Sequence, residues 1–266
     1  MPSVDSSEGE HTPRHLRKVA PSCEHRQHQA QHRARDDRLD GTPLLGGRGP
    51  FGGRHATMLR AVRFCLMIEG QEGVTWDRWV ALAEAAERSG FEALFRSDHY
   101  FSAQGVTGRG STDAWTLLGA LAARTQRIRL GTLVPPVTFR HPSLLAKAAA
   151  TVDQISGGRV EIGMGAGWWA EEHTQFGFPF PPTSERFAML EEQVEIVHGL
   201  LTEERFSFRG KHYALEAADF FPKAVQRPRP PILIGGTRVG PRMQRLVGRF
   251  ADEFNTVGGT PDQVRV

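Results

Sequence analysis

Two adjacent residues, Asp98 and His99, stand where the apolar stretch EALFRS gives out. An imidazole has an ordinary pKa of about 6.5, so it gives or takes a proton near neutrality. A carboxylate beside it binds a ligand or orients a neighbour. A helix cap or a solvated turn would use the same two residues. Neighbours on a strand point to opposite faces, so both line one cavity only if the strand has ended before them. The second candidate is RVEIGMGAGWW, from Arg159 to Trp169. Val160 and Ile162 alternate into a short buried strand, Gly163, Gly165 and Gly167 follow at alternate positions, and Trp168 and Trp169 close it. Glycine lets backbone approach backbone, or a ligand, where a side chain would collide. Such a strand end fits a flat aromatic guest, and it also fits a tight turn with core tryptophans. There is no Ser-His-Asp or Cys-His set. His173 has no metal-ligand spacing around it and reads as a surface or loop-bracing residue. No metal site is expected.

The elements that would carry these residues alternate. Short apolar strands are expected over 61–68, 92–97, 128–134, within the stretch 159–169 and over 231–234, with a weaker one over 251–256. Pro135-Pro136 stops the third, because proline brings no donor to a ladder. Helices are expected between them. The first is capped by Thr75, the third is entered at His141-Pro142, and the fourth is capped by Ser184. Residues 205–222 read as a hairpin turning at Arg209-Gly210. Glu191 and Glu192 read as a solvated helix face, one of them paired to Arg186.

Alternating βα units place successive strands parallel through right-handed crossovers. An open doubly wound sheet and a closed (β/α)8 barrel both satisfy this. The open sheet would favour a GxGxxG turn after the first strand, and none is present. Polar or glycine-rich residues gather instead at the C-terminal ends of several strands, which is how a barrel builds its active face. An α/β fold of the (β/α)8 TIM-barrel type is therefore expected, with about six of its eight strands visible.

Four segments together resemble the bacterial luciferase-like monooxygenase superfamily, and more narrowly its deazaflavin (coenzyme F420)-dependent oxidoreductase branch. They are GFEALFRSDHY, GTLVPPVTFRHPSLLAKAAATVDQISGGRVEIGMGAGW, FSFRGKHYAL, and PPILIGG followed by RFADEFN. The resemblance implies a barrel that binds reduced F420, or FMN as the alternative, at its C-terminal face. It assigns His99 as the catalytic residue and Asp98 to the cofactor ring. It assigns Thr132, Leu133 and Val134 to a bulged segment with a non-prolyl cis peptide near Leu133–Val134, and Ala166, Gly167 and Trp168 to the fourth-strand cofactor loop. Ile234, Gly235, Gly236 and Thr237 match a loop that receives the cofactor phosphate at a helix N-terminus, where free amides and the helix dipole suit an anion. The activity implied is hydride transfer between the reduced cofactor and a small organic substrate. Monooxygenation of the FMNH2-dependent alkanesulfonate type is the alternative. Some sugar-phosphate dehydrogenases of the superfamily carry a glutamate where Trp168 stands. An indole donates no proton to substrate, so a larger, more apolar substrate is expected. Family members commonly dimerise, so a homodimer is expected.

Composition bounds the rest. The chain has 266 residues, 39% hydrophobic and 24% charged, with a net charge of +3. That is ordinary for a globular protein, and with no basic helix it gives no footing for nucleic acid. No apolar run approaches the roughly 18 residues of a membrane span. Two cysteines, Cys23 and Cys65, form no framework, and a reducing cytoplasm fits them. Residues 1–57 hold six of the eleven histidines and eight arginines with almost no apolar periodicity. A disordered extension is expected there, ahead of a barrel domain over 58–266. Met58 offers an alternative start. The barrel is expected to be short at its C-terminus, which makes a non-catalytic truncated barrel the rival reading.

Overall fold

The computed structural model describes residues 62–237 and 239–256. The expected extension over 1–57, Cys23, Met58 and the stretch after Thr256 lie outside the described residues. Six strands form one parallel sheet: β1 (Cys65–Ile68), β2 (Ala93–Arg96), β3 (Arg129–Thr132), β4 (Val160–Gly165), β7 (Ile232–Gly235) and β8 (Glu253–Asn255). They neighbour one another in chain order, β1-β2-β3-β4-β7-β8. A doubly wound sheet would reverse that order at a switch point. The sheet also curls. Arg63, just before β1, donates to Glu253 at the start of β8, so the two edge strands reach the same guanidinium. This is the curvature of a barrel.

Among the described residues six helices and a hairpin complete the fold: α1 (Trp76–Arg88), α2 (Ala114–Arg124), α3 (Pro142–Ser156), α4 (Ala170–Phe176), α5 (Thr183–Thr202) and α6 (Pro241–Phe250), with β5 (Arg205–Arg209) and β6 (Ala214–Asp219) paired antiparallel. Strand alternation divides the apolar residues into two sets. Leu94, Leu130, Ile162, Met164, Ile232 and Ile234 belong to the large core that packs the sheet against the helices. Ala93, Phe95 and Leu233 form a second, smaller cluster with Met67, Leu133 and Val134 on the concave face. Below that cluster lies a charged layer. Glu161, 1% exposed, accepts from Arg63 at 2.6 Å and Arg129 at 2.5 Å.

Several boundaries differ from the sequence reading. The first strand begins at Cys65 because its ladder starts where β2 does, at the Cys65–Ala93 pair. Thr75 stands at the N-cap of α1, but its side chain makes no capping bond. Ser184 lies inside α5, which begins at Thr183; the preceding Pro182 carbonyl accepts from the Glu185 and Arg186 amides and starts the helix. His141 caps α3 as expected, its Nδ1 accepting from the Ser143 amide at 3.2 Å. Helix α4 has seven residues, too few to show a period in sequence.

Candidate active site

The C-terminal strand ends meet around the segment that follows β3. The ladder between β3 and β4 stops at Gly131–Glu161 and resumes at Pro136–Gly165, five residues onward on one side and four on the other. One residue is extra, which defines a bulge. Within it the Leu133–Val134 peptide is cis, at the position the resemblance indicated. The glycines of β4 and β7 have their reason here. A Cβ on Gly163 would stand 1.9 Å from the Thr132 carbonyl oxygen, and one on Gly165 or Gly235 would stand 2.6 Å from Val134 Cγ2. The glycine floor is thus occupied first by the chain itself: Val134 rests on it.

This layout separates side chains from backbone among the expected cofactor residues. Thr132 pairs with Arg96 and shares its face, toward the helices; its hydroxyl is buried and has no partner among the described residues. Ile234 is also buried in the core. Only the main chain of these two reaches the concave side. Leu133, Val134 and Gly235 do face it. The Gly236 amide is committed to the Asn255 carbonyl at 3.0 Å, and Thr237 is exposed. In the first turn of α6, Gln244 is the earliest amide to find a helical carbonyl, that of Gly240. The amides of Arg242 and Met243 precede it, beyond Pro241.

Strand β2 ends at Arg96, so Asp98 and His99 both lie past it and turn different ways. The Asp98 carboxylate is buried and takes a two-pronged bond from Arg140, whose guanidinium also reaches Asp113 at 2.6 Å. Burial pushes the Asp98 carboxyl up from its ordinary range, against the pull of Arg140. Burial acts to lower Arg140, and the two carboxylates outweigh it. His99 turns to α4: its Nδ1 lies 2.9 Å from Oε2 of Glu172, which is fully buried and whose Oε1 accepts from the Tyr100 amide at 2.6 Å. The imidazole meets Trp168 and Trp169 edge-to-face, with centroids at 5.9 and 5.5 Å. The two indoles stack on each other at 9°. Trp168 is 67% exposed, so its other face is open.

The loop of Ala166 and Gly167 is held from behind. Arg186 donates to both carbonyls and to Pro181 and Thr183, and it lies over the Phe180 ring at 3.8 Å. The expected pairing of Arg186 with Glu191 or Glu192 is therefore corrected. Glu191 pairs with Arg242, and Glu192 accepts three amides of the β5–β6 turn, those of Lys211, His212 and Tyr213. His173 braces α4 and is buried, not on the surface: Nδ1 donates to the Trp169 carbonyl at 2.7 Å and Nε2 meets the Thr138 hydroxyl at 2.5 Å. Glu172, Arg140 and Arg186 are the residues that sequence reasoning missed. The signal for Glu172 was faint: an acidic residue four places after Trp168, in the stretch EEH.

Among the described residues no cluster of His, Cys, Asp or Glu is placed to hold a metal, and no helix is long and apolar enough to cross a membrane. The family model described as luciferase-like monooxygenase matches residues 59–266. An F420-dependent glucose-6-phosphate dehydrogenase of Nakamurella multipartita is 40% identical over 180 residues, covering 67% of this chain and 51% of the relative. An FMNH(2)-dependent dimethylsulfone monooxygenase of Pseudomonas putida is 31% identical over 184 residues, covering 69% and 49%. Among solved structures, an F420-dependent secondary alcohol dehydrogenase in complex with an F420-acetone adduct aligns with a TM-score of 0.66 at 25% identity, covering 75% of this chain and 59% of that one. The monooxygenase RslO1 from Streptomyces bottropensis aligns with a TM-score of 0.61 at 31% identity, covering 71% and 57%. The chain spans about half the length of the curated relatives it matches.

Proposed function

The chain belongs to the luciferase-like monooxygenase family, and on that premise we propose that it binds a tricyclic redox cofactor at the C-terminal ends of its strands, coenzyme F420 by preference and FMN as the alternative. The observation that carries this reading is the concave wall made by Leu133 and Val134 on the glycine floor of β4 and β7. A flat ring needs apolar walls, and Trp168 offers a second one with an open face. The ring's polar edge would be served by main-chain amides of Ala166 and Gly167, since Arg186 takes their carbonyls and Arg140 takes the Asp98 carboxylate. The phosphate would rest on the first turn of α6, at the amides of Arg242 and Met243.

When bound, such a cofactor supplies hydride exchange with an organic substrate. His99 holds or moves the accompanying proton at its imidazole. Trp168 gives no proton, so the acid role stays with His99, and the open indole favours a substrate more apolar than a sugar phosphate. The F420-dependent relatives favour the deazaflavin, and the FMNH(2)-dependent relative supports the alternative. We place the enzyme in the cytoplasm, which fractionation of the producing cells tests, and assign it as a homodimer, which sedimentation of the purified chain tests.

Titration of the full chain with oxidised F420 and, separately, with FMN, followed by ring fluorescence, tests the cofactor. Saturable F420 binding that weakens in Gly236→Asp is the expected result, because a carboxylate beside the first turn of α6 repels phosphate. Binding of neither cofactor by the folded chain would remove the enzyme reading and leave a non-catalytic barrel.

A further inference from the structure

Helix α4 carries two consecutive buried polar residues, Glu172 and His173, and neither faces solvent. His173 ties the helix to its surroundings through both ring nitrogens, at the Trp169 carbonyl and the Thr138 hydroxyl. The rings of Phe139, Phe178 and Phe180 surround it. Glu172 is thereby fixed, and it makes two bonds. Oε1 takes the Tyr100 amide, which follows His99 directly in the chain, and Oε2 takes His99 Nδ1. One carboxylate thus holds both the main chain and the ring of the same segment.

The bond has a direction. An ionised carboxylate has lone pairs and no hydrogen, so the hydrogen between Oε2 and Nδ1 belongs to the imidazole. A neutral ring with hydrogen on Nδ1 carries its lone pair on Nε2. No described residue bonds Nε2. Asp98, Arg140 and Asp113 are occupied with one another, so Glu172 is the charged group bonded to the ring. The two indoles pack on the imidazole edge-to-face. A ring flip would put a C–H against Oε2 and lose the bond.

We propose that Glu172 is the positioning residue of this site: it fixes His99 as the Nδ1–H tautomer and leaves Nε2 as the nitrogen that exchanges a proton with substrate. The inference rests on the reading of His99 as the proton-handling group. A proton taken up enters at Nε2, and the same proton leaves from Nε2. Nδ1 keeps its hydrogen throughout, and the Glu172 carboxylate faces the imidazolium while it lasts. Glu172 touches neither substrate nor cofactor in this scheme and acts through His99.

The test is long-range 1H–15N correlation of the His99 ring in the uniformly 15N-labelled full chain, assigned by the signals lost in His99→Asn. In wild-type protein at a pH where the ring is neutral, Nδ1 is expected to be the protonated nitrogen and Nε2 the bare one. In Glu172→Gln the amide oxygen keeps the Tyr100 bond and the NH2 turns to His99, so Nδ1 must accept and the ring switches to Nε2–H. Predominant Nε2–H in wild-type protein overturns the proposal, and so does an unchanged tautomer in Glu172→Gln. If Glu172→Gln does not fold, the wild-type tautomer alone decides. The measurement needs no cofactor. Failure to bind F420 or FMN would therefore remove the enzyme reading without touching the tautomer, and a wrong tautomer would remove the role of Glu172 without touching cofactor binding.

Discussion

Asp98 and Arg140 form a buried ion pair that ties the end of β2 to the residue before the His141 cap of α3. Arg140 carries a second bond to Asp113, the N-cap of α2, so three elements meet at one guanidinium. Breaking a buried pair by removing one partner leaves the other charge uncompensated, which costs about 3 to 5 kcal/mol. Arg140→Gln is expected to lose that order of stability in urea melts. The double variant Asp98→Asn, Arg140→Gln is expected to recover part of it, because no charge is left stranded. Stability losses of Asp98→Asn and Arg140→Gln that simply add in the double variant would show that the pair is not coupled.

Acid should loosen a different corner. Burial acts to raise the Glu87 carboxyl, but the amides of Arg127, Ile128 and Gln126 outweigh it and hold the group below its ordinary value. A depressed folded pKa means that the unfolded chain binds the proton more readily. The contribution is therefore present above the ordinary glutamate range and lost as pH falls through the folded value. Wild-type protein is expected to hold an advantage over Glu87→Gln at neutral pH that shrinks in that window. Urea midpoints across acid pH for the two proteins check it.

The parallel order and the six strands were legible because the strands are short apolar runs, several of them closed by glycine or proline, with helical periodicity between them. The turn of β3 was legible from Pro135-Pro136. The partners of the site were not. Glu172 lies 73 residues from His99 and Arg140 lies 42 from Asp98, and no local pattern reports a pairing between segments that follow different strands. The glycines were legible only in part. Gly163 and Gly165 fit either a flat guest or a close backbone approach, and Gly235 matched a phosphate loop, whereas Thr132 and Val134 fill the nearest space. The same residue types serve a close backbone approach and a ligand cradle, so sequence could not divide the two uses.

An open indole beside the proposed ring site gives the cofactor reading a quantitative check. Aromatic pairs contribute about 0.5 to 1.5 kcal/mol beyond the area they bury. Trp168→Ala is expected to weaken F420 binding by about tenfold, which is ~1.4 kcal/mol. Trp168→Phe should keep most of the affinity. Trp76→Ala, at another partly exposed tryptophan at the start of α1, should leave it unchanged. The same fluorescence titration reads all three. Equal affinity in wild-type protein and Trp168→Ala would take Trp168 out of the ring wall.

The glycine floor makes a prediction that separates two kinds of close approach. On Gly163 a Cβ meets the Thr132 carbonyl oxygen, which is backbone and cannot move without parting β3 from β4. On Gly165 a Cβ meets Val134 Cγ2, a side-chain methyl. Forcing extra atoms into a packed site costs about 1 to 3 kcal/mol, and more where nothing can yield. Gly163→Ala is therefore expected to lose about 3 kcal/mol or more, and Gly165→Ala less. Val134→Ala should rescue Gly165→Ala, because it removes the methyl in the way. It should not rescue Gly163→Ala, whose main obstacle is the carbonyl. Thermal melts of the two single and two double variants read the pattern. Rescue of both would mean that Val134 alone sets the spacing of these strands; rescue of neither would mean that the bulge after β3 does not rest on the floor as described.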